Sequence, residues 1–192
     1  MEPREKPGAG PLGPEDGVEL HRVVGHHDNW WHDFNGLAVV LARDIPDVVA
    51  VEHIGSTAIP GMPARDILDV EVIVTKIEDE TAFSAPLQRL GFRRFNPPDL
   101  AAAGLRLFVP EDGSGRIHIH VCELGSAQHR RHVAVRDYLR AHPDEARRYA
   151  DLKREAARLA EGNRVAYSRA KDRYLQALEQ TALRWNESLH DQ

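Results

Sequence analysis

The apolar segment Leu68–Val74 constrains the fold of this chain more than any other, because two acids interrupt it at alternate positions. A short run of this kind predicts a buried central strand, and side chains along a strand alternate between its two faces. Asp69 and Glu71 are therefore expected on one face, with their apolar neighbours on the other. Two neighbouring carboxylates repel each other unless a cation neutralises them, and oxygen ligands suit Mg²⁺ or Mn²⁺. The alternative is an exposed edge strand that carries its acids outward.

A segment of small residues precedes this strand and adds a second functional signal. Gly55 lets a phosphate approach the backbone closely, and Ser56 offers a hydroxyl and an N–H group. Twelve residues separate Ser56 from Asp69. This arrangement, hydrophobic-Gly-Ser followed by Asp-hydrophobic-Glu, resembles the signature of the nucleotidyltransferase superfamily. The resemblance implies that Asp69 and Glu71 hold metal ions that bridge a nucleoside triphosphate, while the Gly-Ser loop binds its phosphates.

Longer strings narrow the resemblance to one family. The most specific are segments 52–61 (EHIGSTAIPG), 136–143 (RDYLRAHP) and 149–153 (YADLK). Together they resemble the GrpB family over about residues 18–178. The resemblance implies a nucleotidyltransferase-like fold and relatives fused to dephospho-CoA kinase, but it supplies neither a reaction nor a substrate. Arg65 and Asp66 stand where most relatives would have Lys and Pro, so a cation for phosphate or carboxylate contacts is retained.

The next apolar strand departs from the superfamily pattern. A third carboxylate normally completes a nucleotidyltransferase site from a neighbouring strand, but this strand has no acid at the corresponding place. It offers His118 and His120, which share one face with Cys122. If this face meets Asp69 and Glu71, the centre has two carboxylates and two imidazoles. Such a set accepts Mn²⁺, Fe²⁺, Ni²⁺ or Zn²⁺ more readily than Mg²⁺.

Other interpretations of the histidines stay open. Either His118 or His120 could act as a general base, since imidazole titrates near neutrality, or both could be polar residues on a solvated face. We expect Cys122 to be a small buried hydrophobe. The remaining candidates lack ligand spacing and are expected to be surface residues: His26, His27, His129 and His132.

Basic residues are concentrated in the C-terminal half, although the whole chain has a net charge of −5. Residues 128–174 contain 13 Lys and Arg against 7 Asp and Glu. Three pairs have the i,i+4 spacing that places both members on one helix face: Arg136 with Arg140, Tyr149 with Lys153, and Tyr167 with Lys171. The first two pairs predict contacts with phosphates or an anionic acceptor, and the alternative is ion pairing with neighbouring acids. The third pair lies on a predicted outer packing helix.

Length and composition predict a single domain. The chain has 192 residues, 42% of them hydrophobic, and its single cysteine excludes an intramolecular disulfide. Residues 1–17 are rich in Pro and Gly and predict a disordered tail. Residues 18–186 are expected to form the domain, with an α/β core at 18–125 and a helical part at 126–186. Because no apolar run approaches 20 residues and no signal-peptide pattern is visible, we expect a cytoplasmic protein.

Periodicity and turn residues locate the individual elements. Five strands are predicted at 18–24, 48–54 and 68–74, and as a hairpin of 105–109 with 116–122. Helices are predicted at 28–43, begun by an Asp28 cap, at 78–90, ended by Gly91, and from 126 onward, with breaks at 142–143 and 162–163. The predicted fold class is α+β, a nucleotidyltransferase-like mixed sheet packed on helices with a helical C-terminal part.

The leading hypothesis is a metal-dependent, nucleotidyltransferase-like enzyme that transfers a nucleotidyl group to a small-molecule acceptor. The acidic pair would hold the metal, Ser56 and Arg65 the phosphates, and His118 or His120 would activate the acceptor. Two alternatives remain: a metal-dependent hydrolase or lyase with an Asp-x-Glu/His-x-His centre, and a non-catalytic anion-binding module. The acidic net charge and low aromatic content argue against a nucleic-acid partner, and no membrane partner is expected.

Overall fold

The computed structural model of the protein describes residues 23–27, 29–96, 106–160 and 164–190. Several predictions lie outside the described residues: the tail at 1–17, most of the first strand, the Asp28 cap, residue 105 and the break at 162–163. Within these described ranges, no helix has the length and apolarity needed to cross a membrane.

A five-stranded mixed sheet lies at the centre of the fold. The strands in chain order are β1 (Val23–Val24), β2 (Val48–Ile54), β3 (Ala64–Arg65), β4 (Leu68–Val74), β5 (Phe92–Phe95), β6 (Arg106–Pro110) and β7 (Ile117–Glu123). The large sheet has the order β2-β4-β7-β6-β5, and β1 and β3 form a separate antiparallel pair. In the large sheet only β4 and β7 are parallel neighbours. β4 is thus a buried interior strand of the sheet, flanked on both sides, and not the exposed edge strand of the alternative interpretation.

Five helices surround this sheet within the described residues: α1 (Asn29–Asp44), α2 (Glu80–Arg89), α3 (Ala127–Ala141), α4 (Pro143–Ala160) and α5 (Arg164–His190). α1 and α2 pack on the face of the sheet that carries Val70 and Val72, both fully buried. This layer is filled by Phe34 and Leu41 of α1 and by the T-shaped pair of Phe83 with Phe108. The buried residues of this main core are Phe34, Leu41, Ile45, Leu68, Val70, Val72, Val74, Phe83, Leu87, Phe92, Phe108, Ile119 and Val121.

A second apolar cluster joins the three C-terminal helices to the segment that follows β2. Tyr138 and Leu139 of α3 pack there with Tyr149 of α4 and Leu178 of α5, against Ile59. α3 also contacts β2 and β7, on the side of the sheet opposite α1 and α2. The predicted α+β class, a mixed sheet on helices followed by a helical part, is confirmed.

Most predicted element bounds agree closely with the structure. β2 and β4 have the predicted limits, the hairpin forms between β6 and β7, and α2 ends just before Gly91, whose φ of +84° favours glycine. β5 was not predicted. Its sequence, Phe-Arg-Arg-Phe, lacks the apolar-polar alternation that predicts a strand. Arg94 is neutralised there by Glu80 of α2, a contact that local sequence does not reveal.

Candidate functional site

The pairing of β4 with β7 sets out the candidate site. Asp69 is the register partner of His118, and Glu71 is the register partner of His120. Because neighbouring strands present register partners on the same face, these four side chains lie on the side of the sheet opposite the main core. The predicted meeting of the acidic face of β4 with the histidine face of β7 is therefore present, although the two acids have different partners.

Asp69 lies between the two imidazoles of β7. Its Oδ1 atom is 3.4 Å from Nδ1 of His118 and 3.5 Å from Nε2 of His120. All three side chains are partly exposed, between 20 and 29%. Burial opposes ionisation of the carboxyl group, but its contacts with His118 and His120 outweigh that effect and hold the pKa of Asp69 well below its usual range. Asp69 is therefore a carboxylate at neutral pH.

Gly55 allows this carboxylate to lie directly against the loop that follows β2. Its φ is +71°, and a Cβ atom added there would lie 2.5 Å from Oδ2 of Asp69. A side chain at this position would thus meet both backbone strain and a steric clash. Ser56 comes next and begins a short 3-10 helix, Ser56–Ala58. The predicted Gly-Ser loop and the first acid of β4 are in direct contact.

Glu71 has a different environment from Asp69 although only one residue separates them. Its side chain is fully buried, with Oε1 2.6 Å from Nδ1 of His132 and Oε2 2.8 Å from Nδ1 of His129. Burial raises the pKa of Glu71, but the two imidazoles more than offset this and lower it overall. The carboxylate accepts both hydrogen bonds, so each Nδ1 atom donates.

Two expectations from sequence are therefore wrong. Glu71 does not join His118 and His120, because α3 covers its end of the strand and supplies other partners. His129 and His132 are not surface residues, since both contact a fully buried carboxylate. Ser126 caps α3 by accepting the N–H of His129 at 3.2 Å, and this start places the two histidines one turn apart facing β4. Their i,i+3 spacing is the sequence signal that could have identified them.

Cys122 is buried, as predicted, and belongs to the same region as Glu71. Burial, followed by the nearby Glu71 carboxylate, raises the pKa of its thiol. Donor atoms of Cys122, Glu71 and His132 all lie within 4.8 Å of one another. The same is true of Asp69, His118 and His120, so the described residues contain two neighbouring groups of potential metal ligands.

A cavity of about 340 Å³ opens beside the Asp69 group. Such a volume lies at the lower end of the range of small-molecule sites. Its lining combines Asp69, His118 and His120 with the Gly-Ser loop and with arginines from β3 and α3. Its polar and glycine residues are Gly55, Ser56, Thr57, Arg65, Asp69, His118, His120, Arg131, His132, Arg136, Tyr149 and Glu179. An anionic ligand would thus meet guanidinium groups and a possible cation in one enclosure.

Arg136 and Arg140, the two arginines of α3 with a predicted role in anion binding, also contact other parts of the protein. Arg136 pairs with Glu52 and Asp137 and donates to the carbonyl of His53 at 3.2 Å. Arg140 donates from Nε and Nη2 to the carbonyl of Ala58, at 3.0 and 2.8 Å. Arg140 therefore holds the end of the 3-10 helix that Ser56 begins, which makes it a residue that positions the loop.

The other predicted anion contacts differ in their accessibility. Arg65 is half-buried at the cavity wall. Lys153 is 97% buried, and its Nζ lies 5.5 Å from the ring centroid of Tyr149, which itself lines the cavity. Side chains at 167 and 171 lie outside the part of the chain whose side chains the structure describes. Lys153 itself does not line the cavity and is separated from it by the Tyr149 ring.

The donor set around Asp69 fits a divalent cation. Two ligands held at about 2.0–2.2 Å from one ion, near the tetrahedral angle, are about 3.4 Å apart, which matches the measured carboxylate–imidazole separations. Two imidazoles with one carboxylate suit Mn²⁺, Fe²⁺ or Zn²⁺ better than Mg²⁺. The residues present therefore fit the predicted metal class at Asp69, His118 and His120.

Comparison with known proteins agrees with the resemblance inferred from sequence. A family profile described as GrpB protein matches residues 21–181. The chain belongs to the GrpB family. UPF0157 protein YqkA of Bacillus subtilis is 35% identical over 140 residues, which cover 73% of this chain and 40% of YqkA. UPF0157 protein PA4798 of Pseudomonas aeruginosa is 39% identical over 142 residues, or 70% of this chain and 55% of that protein.

A solved GrpB structure has the same fold. The crystal structure of the conserved protein GrpB from Enterococcus faecalis superposes with a TM-score of 0.78 and 28% identity, over 86% of this chain and 99% of that one. More distant GrpB-like sequences include proteins named dephospho-CoA kinase, such as that of Mycobacterium leprae at 29% identity over 164 residues. The chain spans only about half, or less, of the length of YqkA, PA4798 and the Mycobacterium leprae dephospho-CoA kinase.

Proposed function

We propose that this GrpB protein is a divalent-metal-dependent, nucleotidyltransferase-like enzyme that transfers a nucleotidyl group from a nucleoside triphosphate to a small-molecule acceptor. The observation that carries the proposal is the contact between Gly55 and Asp69, which joins the Gly-Ser loop to the ligand group in one cavity. A phosphate-binding loop beside a metal-binding carboxylate is the minimum that this chemistry needs.

Asp69, His118 and His120 would hold the cation, and Mn²⁺ fits this donor set while also suiting triphosphate chemistry. When bound, such an ion neutralises negative charge on phosphate oxygens. The Ser56 hydroxyl and backbone N–H, with the Arg65 guanidinium, would bind and orient the phosphates. In the transfer, an acceptor oxygen bonds to the α-phosphorus as the bond to pyrophosphate breaks. The protein contributes mainly by positioning these groups.

Titration of ATP, GTP, CTP and UTP into the full chain with Mn²⁺ tests the proposal. We expect at least one nucleotide to bind only when Mn²⁺ is present, and Asp69→Asn to weaken that binding at least tenfold. Asp112→Asn is the matched control, because Asp112 is an exposed carboxylate in the β6–β7 turn. If no nucleotide binds at millimolar concentration, the proposal fails.

One observation favours a second candidate, a metal-dependent hydrolase or lyase. Glu71 is held by α3, so the Asp69 group has two imidazoles and a single carboxylate, a set common in metal centres that do not use nucleotides. Elemental analysis of the purified protein separates the two. Stoichiometric Zn, Fe, Ni or Mn that survives dialysis and is lost in Asp69→Asn favours the hydrolase or lyase, whereas metal at Asp69 that is retained through dialysis only with a nucleotide favours nucleotidyl transfer.

A further inference from the structure

The buried end of the acidic face has the composition of a second metal site. Glu71, Cys122 and His132 bring together a carboxylate, a thiol and an imidazole whose donor atoms lie within 4.8 Å of one another. They come from three elements, β4, β7 and α3, so the fold and not a local turn assembles them. Glu71 and Cys122 are almost fully buried, at 0 and 3% exposure.

We propose that Glu71, Cys122 and His132 form a second divalent-cation site with a thiolate ligand, selective for Zn²⁺ or a similar ion. A thiolate with an imidazole selects such borderline ions, whereas Mg²⁺ and Ca²⁺ prefer oxygen. The cation would take the place of the Nδ1 proton that His132 donates to Glu71, and the neutral imidazole would then carry its proton on Nε2. The two positive charges of the cation are balanced by the carboxylate and by the thiolate formed when the Cys122 proton leaves to solvent.

The surroundings of this second site have the features of a supported metal centre. His129 donates to the other oxygen of Glu71 at 2.8 Å, which fixes the orientation of the carboxylate as outer partners of metal ligands do. His132 lines the cavity, so an ion can reach the buried donors from that side. The rings of His132 and His120 are 5.4 Å apart, which makes the two ligand groups immediate neighbours. Cation binding here does not depend on which reaction occurs at Asp69.

The single cysteine of the chain makes a direct test possible. The metal-free full chain is titrated with Co²⁺ while bound equivalents and the absorption spectrum are measured. We expect two equivalents, one of which produces a thiolate-to-cobalt charge-transfer band. Cys122→Ala should abolish that band and weaken one equivalent more than tenfold, leaving the other unchanged. Asp69→Asn should lose the other equivalent and keep the band.

Two results would overturn the proposal: a Co²⁺ complex of the unmodified chain without a thiolate band, or a band that disappears in Asp69→Asn. X-ray absorption of the Zn²⁺-loaded, unmodified chain gives an answer that does not rely on the folding of any variant. A sulfur ligand at about 2.3 Å is expected for one of the two ions, which averages to half a sulfur per zinc when both sites are loaded. A zinc ion surrounded only by nitrogen and oxygen would contradict the second site.

Discussion

The two ends of the acidic face of β4 differ in what covers them. At Asp69 the partners are imidazoles of the neighbouring strand at 3.4 and 3.5 Å, longer than a good hydrogen bond, and a cavity lies alongside. At Glu71 the partners come from α3 at 2.6 and 2.8 Å, and no part of the side chain reaches solvent. Asp69 and Glu71 have the same charge and lie on the same face of β4, but α3 covers only Glu71, so Asp69 stays partly exposed while Glu71 is fully buried.

The largest difference that we expect between Glu71 and Asp69 is in their contribution to the free energy of unfolding. Glu71→Ala should lower the free energy of unfolding of the metal-free protein by about 3–5 kcal/mol, because it leaves two imidazole N–H groups without their buried acceptor. Asp69→Ala should cost less than about 1 kcal/mol, since the Asp69 side chain is partly exposed and its contacts with His118 and His120, at 3.4 and 3.5 Å, are longer than a good hydrogen bond. Urea unfolding at pH 7 with a chelator measures both values. Equal losses would show that coverage by α3 does not distinguish the two ends.

His53 provides a third histidine environment to compare with those around Asp69 and Glu71, because it is buried and its hydrogen-bond partner is not a carboxylate. It stacks on Phe34 at 4.8 Å and bonds Thr57 at 2.9 Å, and its Nδ1 has no hydrogen-bond partner among the described residues. Burial, with a smaller contribution from Arg140, lowers the pKa of His53 from 6.5 to about 4. The folded protein therefore contains His53 as a neutral imidazole at neutral pH.

Between pH 6.5 and 4, His53 is protonated in the unfolded chain but stays neutral in the folded chain. The free energy of unfolding is therefore at its full value above pH 6.5 and decreases as the pH is lowered toward 4. The loss attributable to His53 approaches about 3 kcal/mol at pH 4. Unfolding of His53→Phe and the unmodified chain across this range measures it. The variant should have a shallower pH dependence by that amount, and parallel curves would contradict the expectation.

A smaller effect is expected from Gly55, whose backbone conformation brings the loop against Asp69, and Gly61 provides a matched control. Gly55→Ala should cost about 1–3 kcal/mol in strain and should also displace Asp69, so Mn²⁺ affinity should fall at least tenfold. Gly61 has nearly the same φ, +72°, but nothing within 4 Å of an added Cβ. Gly61→Ala should therefore show the strain and keep its Mn²⁺ affinity. If both variants bind Mn²⁺ alike, the Gly55–Asp69 contact does not shape the site.

The smallest expected effect concerns the loop rather than the strand. Arg140→Gln removes the hydrogen bonds to the Ala58 carbonyl and should lower the unfolding free energy by about 1–2 kcal/mol. Arg147→Gln, which alters an exposed ion pair with Asp144, should change it by less than about 0.5 kcal/mol. Thermal unfolding compares the two. An equally small effect at Arg140 would mean that the loop holds its shape without it.

Sequence reasoning succeeded where periodicity alone decides the structure. The limits of β2 and β4 and the meeting of Asp69 with His118 and His120 follow from strand alternation and from the pairing of two apolar strands. It failed for His129 and His132, because their contacts with Glu71 span 58 and 61 residues and depend on how α3 packs over the sheet. The i,i+3 spacing marks His129 and His132 as sharing one face of α3, but the partner that this face meets is a tertiary property that the spacing does not reveal.

The register of the parallel pairing between β4 and β7 fixes both the packing of the main core and the position of the histidines beside Asp69. A slip of β7 by a single residue would turn Ile119 and Val121 out of the main core and press His118 and His120 into it. The cost of burying unpaired imidazoles among aliphatic side chains excludes that arrangement. A molecule that completes its main core has therefore also brought Asp69, His118 and His120 together, so correct folding aligns the ligands of the proposed metal site.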